Sequence, residues 1–362
     1  MEKKMSSKID KTDENYKLFS ANKNNKLLSA SAFLNIMNDC FKVSEEDRKT
    51  ALSYGKNKKM KTGDNEKISI IIPTHNRLEQ LTKCISSILS QDYNNIEIII
   101  IDDVSTDNTE QVYKTHTDKR IKYIRNEKNL GMGLNRQKAF KIATGEFIIF
   151  CDDDDYFIDN TYFSDIIRIF QDQDINIICS PSYIHYEDEN IYNLFELNYS
   201  GKIKSIDYLK RFQFDLKKPT STFPAIFRKK TLDEANFKDM KMMNDSSIYL
   251  RSLMMGGYTF RNEKIVGVYR VHGKNDTFNV QADFTINNLK EKKKIYNYIK
   301  KHNLLENPKE WYEQEAKITI CHFLNGKEKS IFKRNKVLYW TKFNVSKKLF
   351  LELKKSEKER KI

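Results

Sequence analysis

The sequence predicts an α/β protein built on a mostly parallel central sheet with helices on both faces, extended by helical segments at either end. Three observations carry this. Short β-branched runs alternate with amphipathic stretches between residues 68 and 151, which is the signature of a parallel α/β sheet. The run 96–101 is close to continuously apolar, as a strand covered on both faces must be. Outside about 68–283 the apolar residues recur at helix spacing instead.

The elements follow in order. Residues 1–26, polar and rich in Lys, Asn, Asp and Ser, read as a mobile arm. From 27 to 55 the chain reads as helical: Phe33, Ile36, Met37, Cys40 and Phe41 share one face, and Ser44-Glu45-Glu46-Asp47 opens a second short helix as a capping box. The charged stretch 56–67 lacks periodicity and sets a boundary near 67. Strands are predicted at 68–72, 96–101, 121–124 and 147–151. Between them lie a helix with Leu78, Leu81, Ile85 and Ile88 on one face and Asn76 as its cap, a short helix from about Asn108, and a helix at 134–142. A looser second half follows, with a helix to about Phe170, strands near 175–179 and 223–227, a helix at 246–254 and a strand at 265–269. From 284 the pattern is helical and basic to the end. The organisation expected is therefore 1–67 as arm and helical extension, 68–283 as one α/β domain with halves 68–163 and 164–283, and 284–362 as a basic helical region.

Composition excludes several classes. Hydrophobic residues make up 39% of 362, with 22 Phe and 19 Tyr, so the chain can bury a core and is not intrinsically disordered. Residues 284–362 hold 21 Lys and Arg against 9 Asp and Glu, so +12 of the net +14 sits there and the remainder is nearly neutral. That confinement, with no nucleic-acid motif, argues against a nucleic-acid partner. Cys40, Cys84, Cys151, Cys179 and Cys321 form no CxxC pair, which fits a reducing cytoplasm better than a disulfide framework or thiolate zinc site. No apolar run is long enough for a signal peptide or membrane span.

Ligands of an open parallel sheet bind outside the carboxyl ends of its strands. Those ends read Pro73-Thr74-His75-Asn76-Arg77, Asp102-Asp103-Val104-Ser105-Thr106-Asp107 and Asp152-Asp153-Asp154-Asp155-Tyr156. Singly, each has an ordinary explanation as a turn, a helix cap or a solvated loop. Together they place an acidic cluster on one sheet edge, where the carboxylates repel unless a cation compensates. Hard oxygen ligands of this kind suit Mg2+ or Mn2+ carrying phosphate oxygens. Gly131-Met132-Gly133 is no dinucleotide fingerprint, since no third glycine follows.

The three segments ISIIIPTHN at 68–76, EIIIIDDVSTD at 97–107 and GEFIIFCDDDDY at 145–156 resemble, in order, the nucleotide-binding half of a family 2 glycosyltransferase with the GT-A, Rossmann-like fold. A weaker likeness continues to about Asn275. The resemblance implies a metal-dependent, inverting hexosyltransferase that uses a UDP-sugar donor and Mn2+ or Mg2+ as cofactor. It implies that Pro73, Thr74 and His75 line the uracil pocket, with His75 where the family usually has Tyr or Phe, and that Arg77 belongs to the donor site. Asp103 would bond the uracil edge. Asp152-Asp153-Asp154 would be the Asp-x-Asp motif, with Asp152 and Asp153 on the nucleotide-sugar, Asp154 on the metal and Asp155 in support. Asn135-Arg136-Gln137-Lys138-Ala139 keeps only the Arg of the family's Ala-Arg-Asn-x-Gly, leaving Arg136 as a nucleotide contact. Asp245, before a helix in the second half, would be the catalytic base, and His272 of Tyr269-Arg270-Val271-His272 would reach the metal or the diphosphate.

The expected setting is the synthesis of a bacterial surface polysaccharide or glycoconjugate, with a lipid-linked or protein-linked glycan as acceptor. The rival readings are a transferase extending a protein-bound glycan and a catalytically inactive nucleotide-binding module. Residues 331–355 mix Phe332, Leu338, Tyr339, Trp340, Phe343, Leu349, Phe350 and Leu353 with many lysines. That mixture fits an amphipathic surface on the anionic inner face of the cell membrane. It equally fits helices packed on the catalytic domain or on another subunit, a route to oligomerisation.

Overall fold

The computed structural model describes residues 27–29, 66–273, 280–328 and 330–359. Strands are numbered β1 (Leu27–Ser29), β2 (Ile68–Thr74), β3 (Ile96–Asp102), β4 (Ile121–Arg125), β5 (Phe147–Phe150), β6 (Tyr156–Phe157), β7 (Ile175–Cys179), β8 (Ser182–Tyr186), β9 (Ile191–Phe195), β10 (Gly201–Lys204), β11 (Ala225–Arg228), β12 (Tyr258–Arg261) and β13 (Gly267–Val271). Helices are α1 (Leu78–Leu89), α2 (Thr109–Lys114), α3 (Met132–Ile142), α4 (Tyr162–Ile169), α5 (Ser205–Arg211), α6 (Lys229–Glu234), α7 (Asp245–Leu253), α8 (Ala282–Lys301), α9 (Pro308–Asn325), α10 (Ile331–Asn344) and α11 (Lys347–Glu359).

The main sheet has eight strands in the order β10-β12-β7-β11-β5-β2-β3-β4. β5, β2, β3 and β4 run parallel, whereas β11 is antiparallel to both β5 and β7. Strand alternation divides the isoleucines between two cores. Ile71, Ile99, Ile101 and Ile148 face a core shared with Phe140, Phe237 and Tyr249. Ile68, Ile70, Ile72, Ile98, Ile100 and Ile149 face Leu81, Ile85, Ile88, Phe163 and Ile166. A smaller sheet, β1-β9-β8-β13-β6, stands beside it. Residues 27–29 form its edge strand instead of the predicted helix, pairing antiparallel with β9. The remaining expectations for 1–67, mobile arm and capping box included, lie outside the described residues up to Asn65.

Two local features position the site. Gly145 opens β5 where any Cβ would lie 2.6 Å from Lys67 O and 2.7 Å from Ser69 N, so only glycine lets β5 approach β2. Asn76 is not the cap of α1. Its backbone is left-handed (φ 56) and its Oδ1 accepts from Thr106 N at 2.6 Å, while Asp107 Oδ2 accepts from Leu78 N at 3.1 Å. Each strand-end loop thereby satisfies the other's orphan backbone donors.

The basic C-terminal region is helical, as expected. Ile295, Ile299, Trp311 and Tyr312 of α8 and α9 join the first core, and Trp311 Nε1 donates to Leu209 O at 3.0 Å. Leu289, Ile320, Phe323, Leu338, Leu349, Phe350 and Leu353 build a separate core among α8 to α11. Arg251 on α7 bonds Glu291 on α8 at 2.5 Å and Ala235 O at 2.7 Å, so the extension braces the helix that begins at Asp245.

Candidate active site

The chain runs from β2 to β3 and β4 on one side, then returns to β5 on the other, so β2 and β5 flank the topological switch point of the sheet. Their pairing ends at Ile71 and Phe150, with a last bond from Cys151 N to Ile71 O at 3.0 Å. Pro73 lies two residues further on the same side of the strand and has no N–H to offer. β5 therefore parts from β2 there, and the crevice opens at that point.

On the β3 side, Asp103 N donates to Thr74 O at 2.8 Å. His75 Nδ1 lies 2.8 Å from Asp103 O, which only accepts, so Nδ1 carries the proton and Nε2 accepts from Asn76 Nδ2 at 3.1 Å. The exposed imidazole is thus fixed to the loop at both ring nitrogens. Val104 sits at φ 67, a strained conformation for a β-branched residue and one found where a loop is held for function. The Asp103 carboxylate is buried. It accepts from Asn126 Nδ2, Leu130 N and Gly131 N, each at 2.8 Å. Burial raises its pKa, but these donors outweigh it and the net shift is downward, so Asp103 is a fixed anion that shapes the 126–131 loop.

At the end of β5 all four aspartates are partnered, Asp153 and Asp154 sharing Arg77. Asp152 Oδ1 accepts from Arg136 Nη2 at 2.5 Å. Asp153 accepts from Thr74 Oγ1 at 2.7 Å and from Arg77 Nη1 at 2.9 Å. Asp154 Oδ2 meets Arg77 Nη1 and His272 Nε2, both at 2.9 Å. Asp155 accepts from Ser221 Oγ at 3.1 Å and Arg270 N at 3.2 Å. Burial pushes Asp152 up to about 6 against the pull of Arg136, and Asp153 up to about 7 against Arg77. For Asp154, burial is outweighed by His272 and Arg77, and the shift is downward. Burial and its neighbours hold Asp155 well above the usual range.

Arg136, expected to touch the nucleotide, is fully buried. Its guanidinium is taken up by Asp152, by Met243 O at 2.9 Å and by Asp245 Oδ1 at 3.3 Å, so any effect on a nucleotide passes through those partners. Asn244, not Asp245, caps α7, accepting from Ser247 N at 3.2 Å. Asp245 is left with a part-exposed carboxylate, its Oδ1 toward Arg136 and its Oδ2 3.7 Å from Lys218 Nζ. Lys218 also donates to Pro219 O at 2.8 Å and Thr220 O at 3.2 Å. It was not visible in sequence, because the 212–224 loop has no period and Lys218 is one lysine among many.

The structure thus gathers Thr74, Arg77, Asp153, Asp154 and His272 into one bonded group and Asp152, Arg136 and Asp245 into a second, the two meeting at the adjacent residues Asp152 and Asp153. Pro73, His75 and Asp103 stand on their β3 side. Among the described residues no group of three or more His, Cys, Asp or Glu side chains converges as a metal centre. The adjacent Asp154 carboxylate and His272 imidazole offer a hard oxygen and a nitrogen, a donor pair that would suit Mn2+, with phosphate and water in the other positions, while Mg2+ would be held through the carboxylate alone.

Comparison with known proteins bears on this geometry. The pattern of the family described as glycosyl transferase family 2 matches residues 69–237. An Escherichia coli UDP-Glc:alpha-D-GlcNAc-diphosphoundecaprenol beta-1,3-glucosyltransferase, WfaP, is 38% identical over 38% of this chain and 56% of its own length. The match thus spans little more than half of that relative. A Campylobacter jejuni GalNAc(5)-diNAcBac-PP-undecaprenol beta-1,3-glucosyltransferase is 28% identical over 67% of this chain and 74% of its own. Among solved structures, residues 1–349 of S. aureus TarS, in complex with UDP-GlcNAc, superpose with a TM-score of 0.59 at 18% identity, covering 78% of this chain and 82% of that one. That likeness is one of fold.

Proposed function

Through residues 69–237 the chain belongs to glycosyl transferase family 2, and from that premise we propose that it moves a sugar from a UDP-sugar to an acceptor hydroxyl with inversion at the anomeric carbon. The setting proposed is surface glycan assembly, with an acceptor glycan carried on a lipid diphosphate. The names of the Escherichia coli and Campylobacter jejuni relatives support donor and acceptor class. The observation that carries the reading is the bridge from Asp152 through buried Arg136 to Asp245, which ties the acidic strand end to a carboxylate freed from capping duty.

In this reading residues 68–163 bind the donor, 164–283 the acceptor, and 284–362 brace both. Pro73, Thr74 and the His75 ring line the uracil, Asp103 reads its edge, and Asp153 lies toward the ribose. Asp154 and His272 hold Mn2+, or Asp154 alone holds Mg2+, and the ion when bound neutralises charge building on the departing diphosphate. Asp245 takes the proton of the acceptor hydroxyl as its oxygen attacks the anomeric carbon from the face opposite the diphosphate. Arg136 and Lys218, one at each carboxylate oxygen, hold that base in orientation. Release of UDP by the purified protein, over a panel of UDP-, GDP- and dTDP-sugars with Mn2+ or EDTA, tests the reading. Mn2+-dependent release from one UDP-sugar is expected, and binding of UDP without turnover on any donor and acceptor would favour an inactive nucleotide-binding module.

Among the described residues no helix is long and apolar enough to cross a membrane. On α10, Phe332 and Phe343 are 79% and 76% exposed, with Ile331 and Tyr339 of the same helix and Leu351 of α11 also exposed among lysines. This face is read as a peripheral contact with the anionic inner leaflet, where a lipid-linked acceptor would be met. Vesicles containing anionic lipid should float the protein, and Phe332→Ser with Phe343→Ser should abolish flotation while leaving UDP release intact. Unchanged flotation of the double variant, or dimerisation lost with it, would assign the face otherwise.

A further inference from the structure

Arg77 Nη1 donates to Asp153 Oδ1 and Asp154 Oδ2, both at 2.9 Å. Asp154 Oδ2 is the same oxygen that meets His272 Nε2. A divalent cation cannot share that oxygen with a guanidinium, because two positive groups at contact distance in a buried site repel strongly. The two carboxylates are only 4% and 5% exposed, whereas the Arg77 side chain is 28% exposed. Arg77 therefore covers them from the solvent side and can swing away without unpacking a core. It is the N-cap of α1, where its carbonyl accepts from Leu81 N at 2.9 Å, and a turn of its side chain leaves that bond in place.

The protein supplies few ligands of its own: Asp154 and His272 are a pair, and no third His, Cys, Asp or Glu converges with them among the described residues. Two ligands compensate poorly for displacing a guanidinium whose Nη1 bridges two buried carboxylates. A nucleoside diphosphate changes the balance twice over. Its oxygens would complete the metal's coordination, and they offer the guanidinium paired anionic oxygens that it can bind bidentately, as it does a carboxylate.

We propose that Arg77 is the resident counter-cation of the donor site, neutralising Asp153 and Asp154 until a nucleoside diphosphate arrives, then turning to the diphosphate and leaving the divalent ion to Asp154 and to His272, whose ring proton would then sit on Nδ1. The proposal rests on the donor-site reading above. Arg77 is a positioning residue that makes metal binding conditional on nucleotide.

The test is Mn2+ binding to the full chain, read from loss of the free-ion EPR signal, with and without saturating UDP, for the wild type, Arg77→Gln and Arg77→Lys. In the wild type UDP should tighten Mn2+ binding by about tenfold or more. Arg77→Gln should bind Mn2+ without UDP more tightly than wild type, and UDP should then tighten it far less. Arg77→Lys, which keeps the charge but not the bridge, should fall between them and reports should Arg77→Gln fold poorly. If wild type shows UDP-linked Mn2+ binding but both variants bind Mn2+ alone no better than wild type, the proposal is overturned and the donor-site reading stands. If wild type binds no Mn2+ even with UDP, both fall together.

Discussion

Asp245→Asn is expected to lower sugar transfer by about 100- to 10,000-fold, the range in which a positioned base contributes, while UDP binds as tightly as before. Asparagine keeps the size of the side chain and a carbonyl oxygen to accept from Arg136, but cannot take up a proton. The fold should tolerate the change. Asn244 caps α7 by itself, and Arg136 retains Asp152 and Met243 O. Transfer assayed beside calorimetric UDP binding separates the outcomes. Near-normal turnover would remove Asp245 as the base, whereas lost UDP binding would mean that its main task is to hold Arg136 and, through it, Asp152.

Asp154→Ala is expected to act on the other side of the reaction. It removes the one carboxylate that meets both Arg77 and His272, so turnover should fall by at least about 100-fold, the scale of a lost electrostatic stabiliser. Unlike Asp245→Asn, it should abolish the Mn2+ dependence of UDP binding. The two variants are therefore distinguished by binding alone, before any acceptor is known. Equal UDP affinity with Mn2+ and with EDTA is expected for Asp154→Ala, and a retained Mn2+ effect would move the ion to other residues.

The donor side of the fold is legible in the sequence because its strands are buried on both faces. An isoleucine run such as 98–101 has few alternatives, and Gly145 and Pro73 punctuate it where backbone must approach or part. The second half is far less legible. β8 (Ser-Tyr-Ile-His-Tyr) and β9 (Ile-Tyr-Asn-Leu-Phe) mix apolar and polar residues without strict alternation, and their pairing includes contacts such as His185 stacked on Tyr192 at 4.0 Å, which no local pattern encodes. β10 and β12 are four residues each and become strands only by pairing with each other and with β7. Residues 27–29 show the same override, helical by local pattern but paired as a strand with β9.

At the site, residue types were legible but their partnerships were not. The Asp152–Asp155 run announces a charged strand end, yet nothing local assigns one aspartate to Arg136, two to Arg77 and the last to Ser221. Arg136 illustrates why. Its neighbours in sequence suggest a nucleotide contact, but its environment is set by residues 16 and 109 positions away. The capping of α7 by Asn244 is a similar case, since Asn244 and Asp245 are both good caps by type and only the backbone geometry chooses between them.

The central claim is that this strand-end site transfers sugar with inversion. It is tested most directly by incubating the protein, Mn2+ and UDP-glucose with a HexNAc-diphosphate-lipid acceptor and determining the anomeric configuration of the product by proton NMR. The account predicts a new β-linked glucose from the α-linked donor, lost in Asp245→Asn. An α-linked product would contradict the single displacement through Asp245.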